Sequence, residues 1–348
     1  MSSKEFAAAI RARDFSQCFA TVVGYGTMGR HYVHALRALG VKKIRVCSRS
    51  PRPLRELGAA GDVEVVQGGF ARLECDPDGA DLAIVATPMA MLALVSEKLA
   101  SLGFRRMLIE KPVALRSREI QRLAQTLDRS GVQATCAYNR VAYPSFLEAR
   151  TLADREGGIT SCTYNFTEIV QPDWTRRFPA EELARWGVAN SLHVMSMAHG
   201  LIGMPADWSS HRSGALSWHP TGAVFVGSGV SVQGVPFAFH ADWGSPGRWA
   251  VEAHTPKASY RLCPLERLFR KSSATGEWEE VATVSFAAEV KAGIVEEVSA
   301  MLAPDVGRAV PLLSLRDAAT LAAYAEEIFG YGDTGRPDRI RENDSRRD

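Results

Sequence analysis

The stretch Cys18–Gly29, CFATVVGYGTMG, decides the fold, because a short apolar run leads directly into a glycine-rich loop and a helical pattern follows over Met28–Leu39. Gly24, Gly26 and Gly29 fit the spacing GxGxxG. In such a loop the first glycine permits the tight turn, the second lets the backbone approach a pyrophosphate, and the third lets helix and strand pack closely. Since a helix N-terminus attracts phosphate, this strand–loop–helix unit predicts a dinucleotide-binding site.

The same alternation of apolar runs and helical patterns continues outward through residues 1–140. Further strands are predicted at Lys43–Cys47, Val63–Gln67, Asp81–Thr87, Arg106–Ile109 and Gln133–Tyr138, and helices at Met89–Leu102 and Arg118–Ser130. Near-continuous apolar strands separated by helices indicate a parallel sheet that is covered on both faces. Residues 1–140 are therefore predicted to form a doubly wound Rossmann domain in an α/β protein.

After Tyr143 strands follow one another with fewer helices, which indicates a second domain over residues 141–312. Its predicted strands include Ala223–Val230, Val235–Trp243, Trp249–His254, Ser259–Leu262 and Glu277–Val284, and its predicted helices are Pro144–Arg155, Pro179–Leu201 and Ala288–Leu302. The turn at Gln233-Gly234 makes the first two of these strands a hairpin candidate. We expect an α+β domain with a large, mainly antiparallel open-faced sheet, which binds substrate and mediates oligomerisation.

Two short regions end the chain. Residues 313–332 predict a helix over Leu315–Phe329 that packs back on the chain, with Ser314 and Asp317 as its N-terminal cap. Residues 333–348 are dense in both charge signs and nearly devoid of apolar side chains, so they predict a disordered tail.

Composition excludes several classes of partner. The formal net charge is +2, so no global field attracts nucleic acid or a membrane surface. No apolar run approaches the roughly 18 residues of a membrane helix. Six cysteines lie far apart without a CxxC pair, which favours buried, reduced thiols in a cytoplasmic protein over disulfides. No metal site is predicted, because His31 and His34 have no third ligand nearby.

The end of the second predicted strand bears on which dinucleotide is bound. An acid that binds the ribose is expected about 20 residues past the loop, but Arg45-Val46-Cys47 is followed by Ser48-Arg49-Ser50. A carboxylate would repel a 2′-phosphate, whereas these serines can donate to it and Arg49 can pair with it. The sequence therefore favours NADP, with NAD as the alternative.

Glu110-Lys111-Pro112, at the end of a predicted buried strand, adds the second decisive motif. With it the chain resembles the Gfo/Idh/MocA oxidoreductases, the family of glucose–fructose oxidoreductase and inositol dehydrogenase. The resemblance rests on Gly24–Gly29, Thr87-Pro88, Glu110-Lys111-Pro112, Tyr138-Asn139-Arg140 and Asn190-Ser191-Leu192-His193. It implies a Rossmann domain followed by an α/β domain with an open sheet, and NAD(P)-dependent hydride transfer at CH–OH groups.

The resemblance places the reaction at Lys111, which would lie beside the nicotinamide and contact the reacting hydroxyl. An apolar wall and a cationic ring would lower the pKa of this lysine toward neutrality. His193 matches the family's second catalytic residue. The acid expected four residues earlier is replaced by Ala189, and Asn190 follows it. His193 therefore either assists Lys111 as a hydrogen-bond donor or only positions the substrate.

The remaining site residues are implied by the motif and the resemblance together. Cofactor contacts are expected from Gly24, Gly26, Thr27, Met28, Gly29, Ser48, Arg49, Ser50, Thr87, Pro88, Glu110, Lys111 and Asn139. Substrate contacts are expected from Lys111, Tyr138, Arg140, Trp174, Arg185, Asn190, His193, Trp243 and Arg248. Aromatic planes and arginines suit a sugar ring that bears a phosphate or carboxylate.

The expected substrate is a small-molecule carbohydrate, above all a nucleotide-linked sugar of glycan or surface-polysaccharide biosynthesis. Two alternatives remain: a free sugar or cyclitol dehydrogenase, and a catalytically silent NAD(P)-binding sensor or scaffold. The second-domain sheet has helices for only one face, so a homo-oligomer, dimer or tetramer, is expected through the other.

Overall fold

A computed structural model describes residues 1–58, 61–73, 79–272, 274 and 276–332 of the protein. The predicted tail, residues 333–348, lies outside the described residues. The described chain forms two sheets of seven and eight strands. None of the described helices combines the length and the apolar character needed to span a membrane.

The first sheet is the predicted Rossmann sheet. Its elements in chain order are α1 (Ser3–Arg11), β1 (Phe19–Val23), α2 (Thr27–Ala38), β2 (Lys43–Ser48), α3 (Pro51–Gly58), β3 (Glu64–Gln67), β4 (Leu82–Val85), α4 (Leu92–Ser101), β5 (Arg106–Glu110), α5 (Ser117–Arg129) and β6 (Gln133–Ala137). The strands run parallel in the order β3-β2-β1-β4-β5-β6. Every residue of β1 and β4 is buried, as expected for central strands covered on both faces.

This topology positions the site. Chain order reverses direction between β1 and β4, and a ligand of such a sheet binds in the crevice at the carboxyl ends of the strands at that point. The glycine loop after β1 and the Glu-Lys-Pro motif after β5 both lie at this edge. The predicted doubly wound fold is therefore confirmed.

The second sheet is mainly antiparallel, as predicted. Its elements are α6 (Pro144–Arg155), β7 (Ser161–Phe166), α7 (Trp174–Arg177), α8 (Ala180–Ala184), a π-helical turn (Gly187–Ser191), α9 (Leu192–Ile202), β8 (Pro205–Ser213), β9 (Val224–Ser231), β10 (Pro236–Asp242), β11 (Trp249–His254), β12 (Ala258–Leu262), β13 (Leu268–Ser272), β14 (Trp278–Val281), α10 (Ile294–Leu302) and α11 (Pro304–Gly307). The strand order is β14-β13-β12-β11-β7-β10-β9-β8, and only β7 and β10 pair in parallel. The predicted hairpin is confirmed as β9 and β10.

One predicted helix is broken. The pattern over Pro179–Leu201 predicts a single helix, but the structure divides it into α8, the π-turn and α9. Gly187 begins the π-turn, and a Cβ there would fall 2.1 Å from the ring of Phe329. Glycine at this position lets the Phe329 ring pack against the π-turn, which also contains Ala189, Asn190 and Ser191.

The last described helix has the predicted bounds and cap. Strand β15 (Leu313–Ser314) pairs antiparallel with β6, and α12 (Leu315–Phe329) follows. Ser314 and Asp317 form a complete capping box, and Gly330 ends the helix with a φ of 69°. Ser117, at the start of α5, donates to Glu326 of α12 through its backbone N–H at 3.1 Å. The last helix therefore joins the Rossmann domain to the second domain.

Candidate active site

A groove of about 520 Å³ follows the carboxyl edge of the Rossmann sheet. It contains most of the residues that the sequence assigned to the cofactor: Gly24, Gly26, Thr27, Met28, Ser48, Arg49, Ser50, Thr87, Pro88, Glu110 and Lys111. Gly29 and Asn139 do not line it. Gly29 lies beneath the loop, where a Cβ would be 2.0 Å from Gly24 O. Asn139 is buried and donates from Nδ2 to Ala292 O at 2.9 Å.

The glycine loop fits a diphosphate. Gly24 has a φ of 102°, and a Cβ there would be 2.3 Å from Ala86 O, so only glycine permits this turn. Gly26 is the N-cap of α2, contributes no side-chain cap, and has open space within 4 Å of its Cβ position. The uncapped N–H groups of α2 therefore face an empty volume of the groove, the geometry that binds phosphate.

The end of β2 supplies the polar residues predicted for a 2′-phosphate. Ser48, Arg49 and Ser50 all line the groove, and the aliphatic part of Arg49 lies against Gly69. The side chain of Arg49 is exposed, so its guanidinium is accessible to an incoming anion. Phe70, which the sequence analysis did not select, adds an apolar wall at this end.

Lys111 ends the groove at the boundary with the second domain. Its Nζ donates to Ala189 O of the π-turn at 2.9 Å. Burial lowers the pKa of Lys111 to about 8; Glu110 opposes this shift, and the nearby cations Arg140 and Lys291 add to it. A lysine with this pKa can exchange a proton with a substrate near neutral pH.

Glu110 has a structural role next to Lys111. Its Oε1 accepts a 2.7 Å hydrogen bond from Tyr32, and its Oε2 accepts from the backbone N–H of Lys111. Tyr32 also lies 3.2 Å from Glu297 of α10. Burial raises the pKa values of both Glu110 and Glu297, and the proximity of the two carboxyl groups raises that of Glu297 further. This cluster fixes Lys111 through its own backbone.

His193, on α9, is buried beside the lysine. Nη1 of Arg140 lies 3.1 Å from its Nδ1 and 3.0 Å from its Nε2. Burial lowers the pKa of His193 well below its usual value, and the charges of Arg140, Lys111 and Lys291 lower it further. His193 is therefore a neutral imidazole at neutral pH, suited to hydrogen bonding rather than to carrying a proton as a cation. Tyr138 is buried with its ring edge-on to His193.

Two residues near this point were not selected from the sequence. Trp249, at the start of β11, lies 6.0 Å from the His193 ring and 5.5 Å from the Arg140 guanidinium, and offers an aromatic wall. Glu168, between β7 and α7, accepts hydrogen bonds from Asn190 and Ser191. A tryptophan that begins a strand is a sequence signal for the first, whereas nothing local in the sequence marks Glu168.

The structure does not bring four of the predicted substrate residues together with Lys111. Trp174 is buried against Trp186 at 4.4 Å between ring centroids. Trp243 is buried and donates to Phe166 O at 3.1 Å. Arg185 is buried, whereas Arg248 is exposed.

Arg185 forms an ion pair with Glu326 and donates a 2.8 Å hydrogen bond from Nε to Leu115 O. Since this arginine is buried and its charge is already paired with Glu326, its role here is structural. Arg248 is exposed in the turn between β10 and β11. Of the predicted substrate residues, the structure gathers Lys111, Tyr138, Arg140, Asn190 and His193 around one point.

The fold and groove define an NAD(P)-binding oxidoreductase. Residues 20–138 match the family described as an oxidoreductase family with an NAD-binding Rossmann fold, Gfo/Idh/MocA. The predicted family is thereby confirmed: the Rossmann domain of this protein belongs to the Gfo/Idh/MocA oxidoreductases. No curated protein matches the sequence.

Solved structures share the fold across both domains. UDP-N-acetylglucosamine 3-dehydrogenase from Acidithiobacillus ferrooxidans is 14% identical with a TM-score of 0.67, covering 89% of this chain and 96% of that chain. Levoglucosan dehydrogenase, solved with NADH and levoglucosan, is 16% identical with a TM-score of 0.68, covering 90% and 96%. An NAD binding oxidoreductase from Klebsiella pneumoniae is 14% identical with a TM-score of 0.72, covering 90% and 96%. At these identities the likeness establishes the fold.

Proposed function

We propose that the protein transfers hydride between NADP(H) and a secondary alcohol or ketone of a carbohydrate, and that the natural substrate is a nucleotide-linked sugar used in glycan biosynthesis. The observation that carries this proposal is the position of Lys111. Its amine, with a pKa of about 8, lies where the dinucleotide groove meets Asn190 and His193.

Each residue of the candidate site has its own role in the proposed reaction. A bound nicotinamide would accept the hydride from the alcohol carbon, or donate it to the ketone. During oxidation the Lys111 amine takes the hydroxyl proton, and during reduction the Lys111 ammonium returns it to the new alkoxide. His193, as a neutral imidazole, and Arg140 donate hydrogen bonds that orient the sugar and stabilise charge on its oxygen. Trp249 supplies a wall for the apolar face of the ring.

The nucleotide-linked substrate is supported by fold and charge. One solved structure with this fold is a dehydrogenase of UDP-N-acetylglucosamine. On this chain, exposed Arg176 and Arg177 lie just before α8, whose Glu182 lines the groove. Exposed arginines of this kind suit a diphosphate.

The test is a panel of nucleotide sugars, free sugars and cyclitols with NADP⁺ and NADPH, followed by absorbance of the nicotinamide. We expect turnover of a nucleotide sugar, and a loss of about 10²- to 10⁴-fold in kcat for Lys111→Ala. The affinity of Lys111→Ala for NADPH, measured by calorimetry, should stay within a few-fold of the parent's, because the diphosphate site is untouched. Equal activity of parent and variant would remove Lys111 from the mechanism.

Two other outcomes of this panel would favour a different function. The likeness to levoglucosan dehydrogenase favours a free sugar as second candidate, and turnover of unmodified polyols without gain from a nucleotide would establish it. The hydrogen bond that Lys111 Nζ donates to Ala189 O engages the amine within the protein, and this motivates a silent cofactor-binding protein. Tight NADPH binding with no turnover across the panel would support that third function.

A further inference from the structure

Glu168 is a buried carboxylate that contacts the π-turn from a segment outside α9. Glu168 lies in the segment between β7 and α7 and is only 4% exposed. Its Oε1 accepts a 2.7 Å hydrogen bond from Ser191 Oγ, and its two oxygens lie 3.3 and 3.1 Å from Nδ2 of Asn190. Glu168 is thus held by two donors of the π-turn, the side chains of Asn190 and Ser191.

The π-turn is bound from two sides. Lys111 donates to the carbonyl of Ala189, while Asn190 and Ser191, the next two residues, donate to Glu168. The lysine and the carboxylate therefore hold three consecutive residues of one turn between them. Asn190 is the residue of this turn that the sequence assigned to the substrate, and its amide orientation depends on Glu168.

The charges around the lysine give Glu168 a second effect. The titratable and charged groups that face Lys111 are Glu110, Glu168, Glu182, Arg140, Lys291 and His193. Glu168 itself faces Lys111 and Tyr331. Burial raises the pKa of Glu168 to about 7, and the hydrogen bonds from its neighbours and the charge of Lys111 oppose this shift. Arg140 and Lys291 destabilise the ammonium of Lys111, and Glu168 stabilises it.

We propose that Glu168 is a positioning residue of the hydride-transfer site, which clamps the Gly187–Ser191 turn against Lys111 and offsets the positive charge of Arg140 and Lys291. The proposal rests on the proposed function, in which Lys111 exchanges the substrate proton. The position one turn before His193 is Ala189, so the negative charge near the reacting group comes from another segment of the chain.

The proposal is tested on Lys111 itself, without any substrate. Cofactor-free protein is pulse-labelled with trace acetic anhydride across pH 6 to 11, and acetylation of Lys111 is measured by mass spectrometry. For the parent we expect a midpoint near pH 8. Glu168→Gln removes the negative charge, which destabilises the ammonium, so the midpoint should fall by at least about 0.5 pH unit. An unchanged midpoint would overturn the proposal.

A matched control separates charge from packing. Glu326 is also buried and also accepts from a serine, Ser117, but its ionic partner is Arg185 rather than Lys111. Glu326→Gln should lower the melting temperature and leave the Lys111 midpoint at the parent's value. An equal fall in this control would show that any buried Glu→Gln change perturbs the lysine, and would also overturn the proposal.

A conservative variant keeps the test decisive if Glu168→Gln folds poorly. Glu168→Asp retains the charge but shortens the reach to Asn190, so the Lys111 midpoint should stay near the parent's while KM rises. A midpoint as low as that of Glu168→Gln would contradict the role of the charge. Where a substrate is known, the acidic limb of kcat/KM for oxidation should move with the labelling midpoint. Failure of the substrate panel alone would leave the labelling result intact, and so distinguishes the two proposals.

Discussion

Arg49 is the residue on which we expect cofactor choice to depend. It follows β2, lines the groove and is exposed, with its aliphatic part on Gly69. We expect Arg49→Ala to raise the Kd for NADPH by about 10- to 100-fold, the loss of a hydrogen bond to a charged group, and that for NADH by only a few-fold. Fluorescence titration with both cofactors measures this difference.

Arg72 provides the control for this prediction. It is exposed and lies against Gly68, one residue from the glycine that Arg49 contacts, but it does not line the groove. Arg72→Ala should therefore leave both affinities close to the parent's. If Arg49→Ala weakened NADH and NADPH equally, Arg49 would contact adenine or the diphosphate rather than a 2′-phosphate.

The sequence predicts those site residues whose positions are set by local backbone geometry. It does not predict those whose positions are set by tertiary packing. Lys111 and the loop glycines are fixed by backbone geometry next to a strand, so a short motif is enough to place them. Trp174, Trp243 and Arg185 have the chemistry of sugar ligands, but their burial and their partners are set by tertiary packing. Glu168 lies in the segment between β7 and α7, and no local sequence pattern predicts that it contacts the site.

At the scale of elements, the glycine loop and α2 make a prediction with two separable parts. A Cβ on Gly29 would lie 2.0 Å from Gly24 O, so Gly29→Ala should lower the free energy of unfolding by at least about 1–3 kcal/mol. A Cβ on Gly26 meets nothing within 4 Å, and its φ of −84° suits alanine. Gly26→Ala should keep its stability and lose cofactor affinity.

Denaturant unfolding and cofactor titration of the two variants check this separation. A Gly26→Ala protein that bound NADPH like the parent would show that the diphosphate does not approach this backbone. A Gly29→Ala protein of parental stability would contradict the close packing of the loop on α2.

The helices and strands that the sequence predicted best have residues at their ends that mark their bounds. Helix α12 has the predicted bounds, because the Ser314–Asp317 capping box and Gly330 mark both ends. Strand β8 was missed, because most of its residues are exposed and it lacks the alternation of a half-buried strand. The break within Pro179–Leu201 was missed, and the contact of Gly187 with the ring of Phe329 in this region joins residues that are distant in sequence.

At the scale of the whole molecule, helices among the described residues cover one face of the eight-stranded sheet. Helices α9 and α12 pack on the inner face, where Phe237 and Phe239 point and where Gly227 and Gly229 leave room for their rings. On β9 the outer face presents Val226 and Val230, 38% and 42% exposed. Eight strands about 4.8 Å apart and roughly 20 Å long span close to the 800 Å² that each partner buries in a stable interface.

We therefore expect a homo-oligomer in which this face meets a second copy of the chain. Replacing Val226 and Val230 by lysine should convert the oligomer to monomers, because a desolvated, unpaired charge costs several kcal/mol in such an interface. Light scattering after size-exclusion chromatography gives the mass directly. Val232, 65% exposed, follows β9 in the turn rather than on the sheet, so Val232→Lys should leave the mass unchanged. A parent protein that is monomeric at micromolar concentration would contradict the interface, and an oligomer that survives the double lysine variant would place it on another surface.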